Sequence, residues 1–102
     1  MYYFKVHGSS ERDDLVGEWG DCTWFEEVDD RLQTRRQLEV YENGNVLMYD
    51  EEHFKDQYGC LMYERQTWLV DPGFIGNENY TYQPLTGEEF EREWSSHTPI
   101  NR

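Results

Sequence analysis

Alanine is absent from this chain of 102 residues. It is the strongest helix former, and a chain without it that is rich in Tyr, Trp, Phe and Val leans toward β structure. Basic residues are scarce: 9 Lys and Arg face 22 Asp and Glu, for a formal net charge of -13. Direct binding of nucleic acid requires Lys and Arg to neutralise phosphates, and an anionic membrane surface makes the same demand. Neither is an expected ligand. No apolar run approaches the ~20 residues that span a bilayer. The opening "MYYFKVHGSS" lacks the basic and apolar segments of a signal peptide, so a cytoplasmic location is expected.

Cysteine occurs only at Cys22 and Cys60, far apart and without C-x-x-C spacing. Two reduced thiols are expected, and a disulfide requires that the fold bring them together. The histidines, His7, His53 and His97, are scattered, and with the cysteines they fit no zinc pattern. A phosphate-cradling glycine loop, a dinucleotide fingerprint and a nucleophile elbow are all missing. Two carboxylates can always be paired on paper as general acid and base, so their abundance does not argue for catalysis. The chain is expected to be no enzyme and to use no metal or cofactor. A small enzyme or ligand-binding domain remains a residual class.

What is present is a set of rings and alternating segments. Aromatics make up 17% of the residues while mean hydropathy is -1.03, so the apolar mass sits in a few large side chains. A chain of this length forms one domain, 1–102, with a modest core. Residues 2–7 alternate as a first strand, with Tyr2, Phe4 and Val6 on one face and Tyr3, Lys5 and His7 on the other. Residues 8–21 read as a long polar loop, and 23–28 as a second strand ending in an acidic turn.

"QLEVYENGNVLMYD", 37–50, carries the clearest signal, two alternating runs around Asn43-Gly44. Strands are expected over 33–42 and 45–50. Closing a tight turn over Asn43-Gly44 pairs Tyr41 with Val46, Val40 with Leu47 and Leu38 with Tyr49. That register predicts Leu38, Val40, Leu47 and Tyr49 on one core face. Gln37, Glu39, Tyr41, Val46 and Met48 then share a mixed face, either partly exposed or covered.

Beyond residue 50 the pattern weakens, although the tyrosines of "NENYTYQPL" suggest an extended edge segment. "TGEEFEREW" then places Thr86 as N-cap with Glu89 three residues on, a capping box that opens a helix over 87–95. Phe90 and Trp94, four apart, dock it on the sheet. Residues 96–102 read as a frayed tail. The expected fold is α+β: a single antiparallel sheet of four to five strands with a C-terminal helix on one face.

Acidic clusters punctuate the chain, and holding several in one small domain costs self-repulsion. A basic protein partner is the expected ligand, met by aromatic anchors inside an acidic rim. Candidate contact residues are Asp50, Glu51, Glu52 and Asp56 with Tyr58 and Trp68. A second candidate surface is Asp13, Asp14, Glu18 and Asp21 around Trp19. Arg31, Arg35 and Arg36 are expected to pair with strand acids or to form a local counter-patch. A monomer or weak dimer is expected.

"YFKV", "TRRQLEVYENG" and "LTGEEFEREW" together resemble a family of small bacterial domains of unknown function. The resemblance implies the order of elements and a bacterial or phage origin, and it carries no activity or catalytic residue. In style the chain is similar to immunity proteins of interbacterial toxin systems, which are small and acidic. That likeness implies an inhibitor that occludes a toxin domain, a basic nuclease being the expected class. The alternative is a phage-encoded inhibitor, anti-CRISPR in type, whose carboxylates imitate nucleic-acid phosphates.

Overall fold

Alternation in the sequence becomes a sheet buried on both sides. The computed structural model describes residues 1–9, 19–62 and 80–102. Their elements are β1 (Tyr2–Gly8), β2 (Cys22–Val28), β3 (Thr34–Tyr41), β4 (Val46–Tyr49), β5 (Lys55–Asp56), β6 (Gly59–Cys60), β7 (Tyr80–Leu85) and α1 (Gly87–Ser96). Five of the strands form an antiparallel sheet in the order β4-β3-β2-β1-β7, and β5 and β6 make a separate short hairpin. The architecture is α+β, with α1 packed against the sheet.

The hairpin register differs by one residue from the sequence expectation. Val40 pairs with Val46, Glu39 with Leu47, Leu38 with Met48 and Gln37 with Tyr49. The cause is the loop: Tyr41 N donates to Asn45 O at 3.0 Å and Gly44 N to Tyr41 O at 3.0 Å. Residues 42–44 thus form a three-residue connection whose last position, Gly44, has φ 94°. Asn-Gly serves such a loop as well as it serves the two-residue turn. A one-residue slip moves side chains to opposite faces.

Leu38 and Val40 therefore share a face with Val46 and Met48, under Phe90 and Trp94. Leu47 and Tyr49 join Tyr41 on the other face with Trp19, Cys22 and Leu61. Both faces have a core, so the mixed face is covered. The turn before β3 has the same design: Leu32 N donates to Asp29 O at 2.9 Å, and Leu32 holds φ 65°. A left-handed leucine costs about 1–2 kcal/mol, offset here by burial of its side chain with Phe4 and Val28.

The capping box forms as read. Glu89 N donates to Thr86 Oγ1 at 3.1 Å and Thr86 N to Glu89 Oε1 at 2.9 Å. Phe90 is fully buried, a burial that contributes roughly 1.5–3 kcal/mol. Arg36 ties helix to sheet. Its guanidinium lies 4.9 Å from the Phe90 ring centre and 5.0 Å from that of Trp94, while Nε and Nη2 donate to the two oxygens of Glu27 at 2.9 and 2.8 Å. Glu91 on α1 closes the network as a second ion-pair partner.

Residues 97–102 are not a frayed tail. Ile100 N donates to Val46 O at 2.9 Å, and the Asn101 side chain bonds both the N–H and the C=O of Met48 at 3.0 and 3.1 Å. The segment lies along the free edge of β4. The edge segment suggested by the tyrosines does form, as β7, and it pairs with β1. Cys22 is buried, Cys60 is exposed, and no disulfide joins them.

Candidate functional site

The candidate surface begins where β4 stops. Asp50 Oδ1 accepts from the N–H of Glu52 at 2.9 Å and of His53 at 2.8 Å, and Asp50 N donates to His53 O at 3.1 Å. An aspartate bonded to the backbone two and three residues on makes a self-contained turn. It holds Glu51 and Glu52 outward, both exposed. Asp50 Oδ2 meets Arg102 Nη2 at 2.8 Å. Burial pushes the Asp50 carboxyl up, but hydrogen bonds from the His53 N–H and Arg102 outweigh it and hold the pKa below its ordinary value.

A bulge brings positive charge to the same place. Between Glu27 and Val28 the pairing with β3 skips Arg35. Neighbouring residues of a regular strand point to opposite faces, and a bulge re-aims one of them. Arg35 and Arg36 consequently line one groove of about 500 Å³ together with Met1, Glu27, Asp50, Glu51 and Glu52. Arg35 Nε reaches Asp29 Oδ2 at 2.9 Å and its Nη1 pairs with Glu51. Among the described residues, the Glu52 carboxylate has no ion-pair partner. The expected pairing with a strand acid holds for Arg36, through Glu27 on β2, while Arg35 pairs with acids of two turns, Asp29 and Glu51, as part of a local counter-patch.

Asp56 has a different role from its neighbours in sequence. Its oxygens accept from Tyr49 Oη at 2.9 Å, the N–H of Tyr58 at 2.8 Å, the N–H of Gly59 at 3.3 Å and Asn101 Nδ2 at 2.8 Å, and His53 Nε2 lies at 2.7 Å. Burial raises the carboxyl, but these bonds more than reverse it and hold the pKa at about 2. Asp56 is a structural hub joining the β5–β6 hairpin, the β4 core residue Tyr49 and the segment after α1.

The aromatic candidates sit inside the fold. Trp19 is 1% exposed and meets Tyr41 edge-on, ring centres 4.9 Å apart. Tyr58 packs on this cluster, 6.0 Å from Trp19. Trp19 is thus core, and Tyr58 is a partly buried support. Asp21 is half-exposed, with Oδ2 4.0 Å from His7 Nε2. Asp13, Asp14, Glu18 and Trp68 lie outside the described residues. The structure brings Asp50, Glu51 and Glu52 into one turn, joins Asp56 to them through residues 101–102, and places Asp21 elsewhere.

Sequence reasoning missed a second acidic group. Glu26 and Glu39 are buried on the sheet face away from α1. Glu39 accepts from Gln37 Nε2 at 2.7 Å and from the Tyr41 hydroxyl, and Thr34 Oγ1 donates to Glu26 at 3.3 Å. Burial, helped by the nearby Glu39 charge, lifts Glu26 to about 7 against the bond from Thr34. The polar members of the mixed face, Gln37 and Glu39 beside Tyr41, were the available signal.

Among the described residues no group of three or more His, Cys, Asp or Glu is placed to hold a metal ion, and no helix is long and apolar enough to cross a membrane. The turn presents the Glu51 and Glu52 carboxylates, both hydrogen-bond acceptors, at the groove that Arg35 and Arg36 also line. No family model matches the chain, and no curated protein or solved structure shows significant similarity to it.

Proposed function

We propose that the protein is an acidic, protein-binding inhibitor of the immunity type, which neutralises a toxin domain by covering its basic active-site surface. The observation that carries this reading is the Asp50 turn, whose backbone bonds preorganise Glu51 and Glu52 at the rim of a groove. A fixed acidic rim steers a basic partner and sets its orientation without an ordering cost on binding. The role is binding rather than catalysis, and the partner is a basic protein, a nuclease domain by preference. Arginines divide the acidic field: Glu27, Glu91, Asp29 and Glu51 are each paired with Arg35 or Arg36. Such interruption supports a protein partner over imitation of a continuous row of phosphates.

The test is co-expression with basic nuclease toxin domains, scored by growth. Wild type should restore growth. Glu51→Lys with Glu52→Lys should slow association and flatten its salt dependence while the fold survives, because exposed pairs such as Arg35–Glu51 contribute about 0–1 kcal/mol. A charge-reversed protein that associates as fast as wild type at low salt would remove this turn from the interface.

A further inference from the structure

The free edge of β4 is occupied, and by an unusual substitute for a strand. In the β3–β4 ladder the residues facing away from β3 are Val46 and Met48, since Tyr41 and Asn45 are a hydrogen-bonded pair and such pairs alternate. Exposed rows of this kind are templates for another chain. Here Ile100 N takes Val46 O, and one side-chain amide, that of Asn101, takes both Met48 N and Met48 O. Arg102 then places a cation on Asp50, where β4 ends.

We propose that the outer edge of β4 is a strand-addition site for an extended, basic segment of a protein partner, and that residues 100–102 hold it closed by imitating that segment. The inference rests on the acidic-surface reading and gives it a binding mode. Three observations define the occupant. Main-chain donors and acceptors of Val46 and Met48 ask for an extended backbone, the pattern of strand addition. Asp50, already holding one guanidinium, with Glu51 and Glu52 beyond it, asks for Lys or Arg at the end of that segment. Finally, the net charge of -13 opposes a second copy of this chain at the same edge.

The strap is built to be displaced. The Ile100 side chain is 45% exposed, so the segment is held by hydrogen bonds and one ion pair rather than by buried apolar surface. A competitor offering the same main-chain bonds in a regular strand, with cations for Asp50, Glu51 and Glu52, replaces the bonds to Val46, Met48 and Asp50 and leaves only the Asn101–Asp56 bond unreplaced. Asp56, bonded to Asn101 Nδ2 at 2.8 Å, keeps the strap seated when no partner is present.

The experiment compares two labelled peptides by fluorescence anisotropy. One is a short peptide alternating lysine and valine; the other has the same sequence with alternate backbone nitrogens methylated, which keeps the charge and removes strand pairing. Full-length wild type is set against Asn101→Ala/Arg102→Ala. Opening an edge that is closed most of the time should tighten binding of the unmodified peptide by about tenfold or more, because apparent affinity scales with the open fraction. The methylated peptide should show no comparable gain, and the backbone amide signals of Val46 and Met48 should shift only with the unmodified one. Arg102→Ala alone leaves every Asn101 bond in place, so it tests the same direction with a smaller gain should the double variant unfold.

Equal tightening of both peptides would overturn strand addition while leaving the acidic surface intact as a binding face. Salt-independent failure of both peptides to bind would overturn both readings. Dimerisation of the double variant with loss of peptide binding would identify a second copy as the occupant and refute a basic partner.

Discussion

Asp56→Asn is the most informative single change for the fold. The carboxylate is bonded by Tyr49, Asn101 and two backbone N–H groups, with His53 at 2.7 Å, and its pKa of about 2 lies below the ordinary 3.8. A folded-state pKa depressed by nearly two units, at about 1.4 kcal/mol per unit, corresponds to roughly 2–3 kcal/mol of stability. For a depressed carboxyl this contribution is complete above the unfolded pKa and is lost as pH falls through the folded one. About 1 kcal/mol should be gone by pH 3 and about 2 kcal/mol by pH 2. Asparagine keeps the shape, but its amide hydrogens face Asn101 Nδ2 or the Tyr58 N–H, so donors oppose donors. Urea unfolding at pH 7 should show a loss of about 2–4 kcal/mol, as expected for removing a charge that other groups surround. The same comparison repeated down to pH 3 should show the gap between wild type and variant closing by about 1 kcal/mol, because the unfolded wild-type chain binds a proton at Asp56 while the folded one still does not. A gap that stays constant between pH 7 and pH 3 would refute the argument, since the cost would then be steric and not electrostatic.

Glu26→Gln should behave in the opposite sense. Its pKa is raised to about 7 by burial and by Glu39, so its favourable, neutral form is lost as pH rises through 7; chemical denaturation should find the variant gaining on wild type between pH 5 and pH 8, by about 1–3 kcal/mol. Arg36→Lys should cost about 1–3 kcal/mol despite retaining the charge, because the two-pronged bond to Glu27 and the contact with the Phe90 and Trp94 rings both need a planar guanidinium; thermal melts at high salt should leave most of this loss in place, and its disappearance in salt would assign Arg36 to simple charge pairing.

The order of elements was legible in the sequence because local physics sets it. Period-two alternation marked β1 to β4, the threonine and glutamate of the capping box opened α1, and the i, i+4 rings identified its docking face. Each of these signals lies within a few residues of chain. The hairpin register was not legible, because Asn43-Gly44 suits both a two-residue and a three-residue loop, and the choice between them is made by which residues must reach two different cores. The chain's net charge was equally plain, but charge in a sequence has no address. Folding placed Arg35 by a bulge, Arg36 over the stacked Phe90 and Trp94 rings, and Arg102 across from Asp50, and so decided which carboxylates remain available. Asp56 and Glu26 show the same division. As sequence they are two acidic residues among many. In the fold, hydrogen bonds outweigh burial for Asp56 while burial outweighs its bond for Glu26. Their opposite protonation behaviour follows from tertiary surroundings that no run of neighbouring residues encodes.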